Sequence, residues 1–232
     1  MLDGDFRDWK QAVTSGQPDH SHLNVEAADS TVTAMPLDIT VAAMPLDIKE
    51  WRRAERKRLL AMRRTHCAEA RAHATSTLLA NLTSVCESLK SETLGLYWPI
   101  KGEIEICRWA SRFAAARGMK TALPVVVTKN SPLEYWQWRM GEPLTRGFWN
   151  IPVPASRIPV NPTAVIIPLI GFHKNYRLGY GGGYFDRTLA ARDPKPIAIG
   201  IGYELCRLPD FTPLPHDIPM DYIVTDRAVY FG

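Results

Sequence analysis

Apolar residues fall along this chain in short blocks whose period changes from one block to the next. From Glu50 to His73 the sequence is charged and crowded with arginine. Leu78, Leu82, Val85 and Leu89 then recur at helical spacing, so the whole stretch predicts helix. Leu94–Trp98 predicts a short strand. Pro99-Ile100-Lys101-Gly102 turns the chain into a helix beginning at Glu103, and Ile104–Gly118 carries Trp109, Phe113 and Ala116 as its packing face. Thr121–Val127 reads as a buried strand. In EYWQWR, alternation sets Tyr135 and Gln137 on one face and Trp136 and Trp138 on the other. The run Ala164–Phe172 is continuously apolar, as in a strand buried on both faces. Ile197–Tyr203 repeats that signature, and Asp221–Thr225 forms a last strand end. Strands alternating with helices predict one α/β domain, a three-layer α/β/α arrangement of Rossmann-like type with a largely parallel or mixed sheet.

That pattern begins near residue 49, giving a domain over 49–232. Residues 1–48 hold no sustained apolar period and are rich in Asp, Ser and Thr, so a flexible tail, disordered or acting as an arm, is expected. The tail contains a tandem duplication, VTAMPLDIT (32–40) followed by VAAMPLDIK (41–49), too short and too few for a solenoid.

The strongest chemical signal lies after the run Ala164–Phe172. Gly179, Gly181, Gly182 and Gly183 occupy four of five positions, followed by Asp186 near the start of a predicted helix. Glycines let backbone N–H groups converge, and Lys174 and Arg177 bring cations to the same place, which outlines a phosphate cradle. It is not a Walker A loop, since no Gly-Lys-Ser/Thr follows. Nor is it the dinucleotide fingerprint, because Tyr184 stands where the third glycine would fall. The plainer alternative is a tight connection with half-buried tyrosines.

Charge sharpens the picture. The net charge is +4, yet residues 1–48 hold eight acids against Arg7 and Lys10, a balance of −6, so the remainder carries +10. A basic body suits anionic ligands: nucleotides, polyglutamyl tails or nucleic acid. On the first helix Arg52, Arg56 and Arg63 share a face by spacing, which reads as a solvated charged surface or a nucleic-acid contact. Cys67, Cys86, Cys107 and Cys206 show no CxxC spacing, which points to reduced thiols in a cytoplasmic protein rather than zinc. No apolar run reaches membrane-spanning length, so no membrane partner is expected.

The segment Arg177-Leu178-Gly179-Tyr180-Gly181-Gly182-Gly183-Tyr184-Phe185-Asp186-Arg187 closely resembles the signature of the 5-formyltetrahydrofolate cyclo-ligase (5,10-methenyltetrahydrofolate synthetase) family, and weaker similarity extends from Trp51 to Thr225. The resemblance implies an ATP- and Mg²⁺-dependent ligase that converts 5-formyltetrahydrofolate to 5,10-methenyltetrahydrofolate with release of ADP and phosphate. It implies that Arg52 and Arg56 reach the nucleotide together with the loop Arg177–Phe185. Lys174, Arg177 and Tyr184 would be the catalytic groups. Trp98, Glu103, Tyr180 and Tyr184 would hold the folate, and Asp186 and Asp217 would be metal-associated. The aromatic segment 133–154 would lie over the pterin. On local grounds Glu103, like Glu105, also reads as a favourable acid in a first helical turn.

Three positions depart from the family pattern: Arg52 replaces lysine, His173 replaces aspartate in a loop one residue shorter, and Cys206 replaces glutamine. These touch the rim of the expected site and spare its centre. A member that binds nucleotide or folate without turnover is therefore the alternative, and a nucleic-acid module ranks last because no such motif is present. The expected partner is a small-molecule folate, with the chain a monomer or homodimer.

Overall fold

The computed structural model describes residues 47–65 and 67–232, all within the unit Met44–Gly232. Residues 1–46 of the predicted tail, with the first copy of the duplicated segment and most of the second, lie outside the described residues. Asp47 opens the described chain by capping a helix: its Oδ1 accepts the Lys49 and Glu50 amides, satisfying donors that a first helical turn leaves free.

Two helices come first, α1 (Ile48–Thr65) and α2 (Ala68–Ser88). They are followed by β1 (Thr93–Gly95), α3 (Cys107–Ala115), β2 (Lys120–Val125) and β3 (Glu134–Gln137). A hairpin of β4 (Leu144–Arg146) and β5 (Pro152–Pro154) leads to β6 (Pro159–Val160) and the central strand β7 (Ala164–Pro168). A second hairpin, β8 (Gly171–His173) and β9 (Tyr176–Leu178), precedes α4 (Tyr184–Ala190). The chain closes with β10 (Ile197–Ile201), β11 (Tyr222–Val224) and β12 (Val229–Phe231).

Eight strands form one mixed sheet in the order β12-β11-β10-β7-β1-β2-β3-β6. The five inner strands, β11 through β2, are parallel, and the outer pairings are antiparallel. Alternation along β7 sends Ala164 and Ile166 into a core with Leu78 and Leu82 of α2 and Phe113 of α3. Val165 and Ile167 face the opposite side, where Leu189 of α4 and Tyr135 pack. The three-layer arrangement follows from that period-two split. From β1 the winding runs outward to β2, whereas from β7 it runs the other way to β10 and β11. Crevices for ligands open beyond the carboxyl ends of strands at such a reversal. The turn after β1 carries Glu103, and the segment after β7 carries the glycine loop.

Several expected boundaries shift. The apolar run Ala164–Phe172 is not one strand: β7 ends at Pro168, and the chain folds into the β8–β9 hairpin before reaching the glycines. Gly171 and Phe172 are apolar because the hairpin itself is buried. The helical stretch Glu50–His73 breaks after Thr65, and Cys67 is extended at φ −62°, ψ 156°. The helix expected over Ile104–Gly118 spans only Cys107–Ala115, with Phe113 buried and Ala116 exposed. Glu103 therefore stands before that helix, in the turn, and not in its first turn. β12 was not expected.

Candidate active site

The packed face of α1 inverts the usual amphipathic helix. Residues 52, 56, 59 and 63 lie along one side, and of these only Leu59 is apolar. Arg52 and Arg63 are just 7% and 2% exposed, so this face is not the solvated surface, nor a free nucleic-acid contact. Arg52 forms a bidentate pair with Asp217, Nη1 to Oδ1 at 3.1 Å and Nη2 to Oδ2 at 2.5 Å, and Nη2 also donates to the Thr212 carbonyl at 3.0 Å. Its guanidinium lies 4.6 Å from the Phe211 ring centre. Burial opposes the Asp217 charge, but the Arg52 fork and the Leu214 amide outweigh it and hold the carboxyl below the usual carboxylate range.

Arg56, one turn further, donates from Nε to the Gly179 carbonyl at 2.7 Å. Its guanidinium covers Gly181, where an added Cβ would come within 3.2 Å. Burial and then the neighbouring Arg52 charge lower the Arg56 pKa. Gly181 and Gly183 take φ of 94° and 65°, the left-handed region that any side chain resists, which is why this turn is written in glycine. Arg177, at the loop's entrance, donates from Nη2 to Asp186 Oδ2 at 2.8 Å and sits 5.5 Å from the Phe185 ring centre. Asp186 Oδ1 accepts the Ile218 amide at 3.4 Å, which sets it beside Asp217. Leu178 is fully buried and its carbonyl accepts the Ile170 amide. Arg52, Arg56, Arg177, Asp186, Asp217 and the glycines thus form one cluster.

Tyr180 ties that cluster to a second one. Its ring lies 5.3 Å from Lys101 Nζ, and its hydroxyl is near Glu103 and Arg63. Burial raises the Tyr180 pKa, so the phenol is neutral. Glu103 accepts the Ile100 amide on Oε2 at 2.9 Å, while Oε1 is buried without a hydrogen-bond partner. Burial pushes its carboxyl up to about 7, against the opposing pull of the Ile100 amide, Arg63, Tyr180 and Lys101.

Aromatic rings form a third wall. Trp98, half-buried after β1, meets Trp138 edge-on at 6.0 Å. Trp149, at the end of the β4–β5 hairpin, is 64% exposed, adopts φ 55°, and stands edge-on to Tyr184 at 5.5 Å. A left-handed tryptophan costs on the order of 1–3 kcal/mol in backbone strain. The Tyr184 hydroxyl accepts the Asn130 amide at 3.3 Å, and Arg187 covers its ring at 4.8 Å.

Lys174 stands apart from this arrangement. It is exposed at the tip of the β8–β9 hairpin with φ 52°, and no hydrogen bond or ion pair among the described residues ties it to the cluster. The residues that depart from the family pattern are built into the fold: the half-buried His173 ring shares a hydrogen bond with the Leu208 carbonyl through Nδ1, and Cys206 is fully buried. Two residues escaped the sequence reading as site groups. Arg63 was legible only as one more charge on α1, and Trp149 as one ring of the aromatic segment 133–154. The signal for Arg63 was its register with Arg52, Arg56 and Leu59.

The cluster fits a nucleotide triphosphate. Three arginines face two aspartates, buried Nε donors of Arg52 and Arg177 lack partners, and the glycine turn offers its backbone. It does not form a protein cage for Mg²⁺: Asp217 and Asp186 are each engaged by an arginine, and no group of three or more His, Cys, Asp or Glu among the described residues could hold a metal. Mg²⁺, which keeps several waters and takes one or two carboxylates plus phosphates, fits only as an ion carried on the nucleotide.

The profile of the 5-formyltetrahydrofolate cyclo-ligase family matches residues 48–226. The chain belongs to that family. Among cyclo-ligase relatives, the 5-formyltetrahydrofolate cyclo-ligase of Mycoplasma pneumoniae is 31% identical over 137 residues, 59% of this chain and 74% of the relative. That of Mycoplasma genitalium is 39% identical over 69 residues, 28% of this chain and 41% of the relative. Two solved 5,10-methenyltetrahydrofolate synthetases share the fold. The one from Mycoplasma pneumoniae has a TM-score of 0.60 at 25% identity, over 75% of this chain and 98% of its own. The one from Aquifex aeolicus has a TM-score of 0.67 at 28% identity, over 78% and 92%. The chain shares the α/β fold of these two structures. Among the described residues, no helix is long and apolar enough to cross a membrane.

Proposed function

We propose that this cyclo-ligase family member joins ATP and 5-formyltetrahydrofolate at the carboxyl edge of its sheet and closes the folate to 5,10-methenyltetrahydrofolate. One observation carries the reading: the loop Gly179–Gly183 reaches both clusters, through Gly179 and Gly181 to Arg56 and through Tyr180 to Glu103. Two ligands held by those clusters would be neighbours, and positioning is most of what phosphoryl transfer asks of a protein.

The γ-phosphoryl of ATP passes to the formyl oxygen, breaking its bond to the β-phosphate bridge and releasing ADP. N10 of the folate then attacks the formyl carbon, the C–N bond forms, and the phosphorylated oxygen leaves as phosphate, which takes up the N10 proton. Arg52, Arg56 and Arg177 with the loop amides stabilise charge on the transferring group. Asp217 and Asp186 fix those arginines. Asp186 and Asp217 would be the carboxylates at hand for a Mg²⁺ carried on the phosphates, which would supply further charge neutralisation when bound. Glu103 accepts hydrogen bonds from the pterin, while Trp98, Trp149, Tyr180 and Tyr184 supply apolar and stacking surface. Lys174, exposed at the tip of the hairpin that leads into the loop, is a further cation for the phosphates. The chain acts on a small molecule, in the cytoplasm.

Mixing purified protein with ATP, Mg²⁺ and 5-formyltetrahydrofolate tests this. Growth of the methenyl-folate absorbance band that needs both ATP and Mg²⁺, and disappears in Asp186→Asn, is expected. Binding of both ligands with no absorbance change would establish a non-catalytic binder instead.

A further inference from the structure

Arg63 is the least exposed charged residue in the described chain. Its Nη2 donates to the Leu169 carbonyl at 2.5 Å, just beyond β7, while Nε and Nη1 are buried with no hydrogen-bond partner. A guanidinium presents five donors and cannot shed its charge, so unmade bonds at such depth need a reason. Glu103 Oε1 is likewise buried with no hydrogen bond of ordinary geometry, and the Tyr180 hydroxyl lies near both residues. Both residues line one small cavity of about 10 Å³ together with Tyr97, Leu169 and Gly202. No direct ion pair joins them among the described residues.

We propose that Arg63 is a positioning residue for the folate wall: anchored to the carboxyl end of β7, its guanidinium holds the Glu103 carboxylate in place across their shared cavity. This rests on the cyclo-ligase reading above. The other groups around Glu103 cannot substitute. Lys101 lies on the same turn but is exposed. Tyr97 and Tyr180 are kept neutral by burial, Tyr203 contributes a hydroxyl, and the Cys206 thiol beside Arg63 is also pushed up by burial. Arg63 is the buried cation on this wall. It is also absent from the set of groups that meets phosphate, so its loss acts on the folate and not on ATP.

The test uses the ligand-free full chain. The Glu103 side-chain carboxyl is followed by carbon NMR, with Glu103→Gln identifying the resonance. The parent is expected to titrate near about 7, and Arg63→Gln to move it up by roughly a unit or more. Arg63→Lys, which keeps the charge, is expected to return it toward the parent. In turnover, Arg63→Gln raises KM for the folate more at neutral than at alkaline pH and leaves KM for ATP unchanged. A folded Arg63→Gln with an unmoved Glu103 titration overturns the proposal. If Arg63→Gln does not fold, the double variant R63Q/E103Q, lacking both charges, is expected to fold, and its failure counts equally against the pairing. Because the titration needs no substrate, a parent that titrates as expected yet shows no turnover refutes the cyclo-ligase reading and leaves this one standing.

Discussion

Arg52 and Asp217 close two parallel hydrogen bonds in a setting where each side chain is about nine-tenths buried, so neither charge tolerates the loss of the other. Asp217→Asn is predicted to cost roughly 3–5 kcal/mol in urea denaturation. The two buried acids make opposite demands on pH. The Asp217 pKa is lowered on folding, so its contribution is present above the unfolded carboxylate range and fades as pH falls through the folded value. The Glu103 pKa is raised from 4.5 to about 7, so the folded state holds the extra proton and stability falls as pH climbs through that window. The penalty is on the order of 3 kcal/mol once Glu103 is ionised. Glu103→Gln is therefore predicted to be more stable than the parent at pH 8, with the gap closing toward pH 4, while folate binding weakens. Urea midpoints across that range check the sign.

At the level of elements, the proposed site draws on the glycine turn and the β4–β5 hairpin. Gly181→Ala places a Cβ in the left-handed region and against Arg56. A fold cost of about 1 kcal/mol with at least tenfold weaker MgATP binding by calorimetry is predicted. Trp149→Ala should barely change stability, because the ring is exposed, yet weaken folate binding by roughly ten- to a hundredfold through loss of its stacking surface. Fluorescence titration with the folate reads this directly. The turn was legible in the sequence because only glycine answers its backbone demand. The split of Ala164–Phe172 was not, since Gly171 and Phe172 are buried like strand residues and periodicity cannot distinguish a buried hairpin from a strand. The arginine face of α1 misled for a related reason. Charge on a helix predicts solvent, and only tertiary pairing with Asp217, Gly179 and Leu169 puts it inside.

Across the whole molecule, the parallel centre of the mixed sheet reverses its winding between β1 and β7, and this reversal brings Glu103 and the glycine loop, 76 or more residues apart in sequence, to one edge. The alternation of strands and helices made that architecture readable, whereas the hydrogen-bonded union of α1, the loop and residues 211–218 depended on contacts across more than 120 positions. The central claim is that both ligands meet there and that the formyl oxygen takes the phosphoryl group. Its most direct test is turnover of 5-formyltetrahydrofolate carrying ¹⁸O in the formyl group, with mass analysis of the products. Phosphate bearing one ¹⁸O atom per methenyl-folate formed is the predicted result. Unlabelled phosphate, or methenyl-folate formed without ADP, would contradict it.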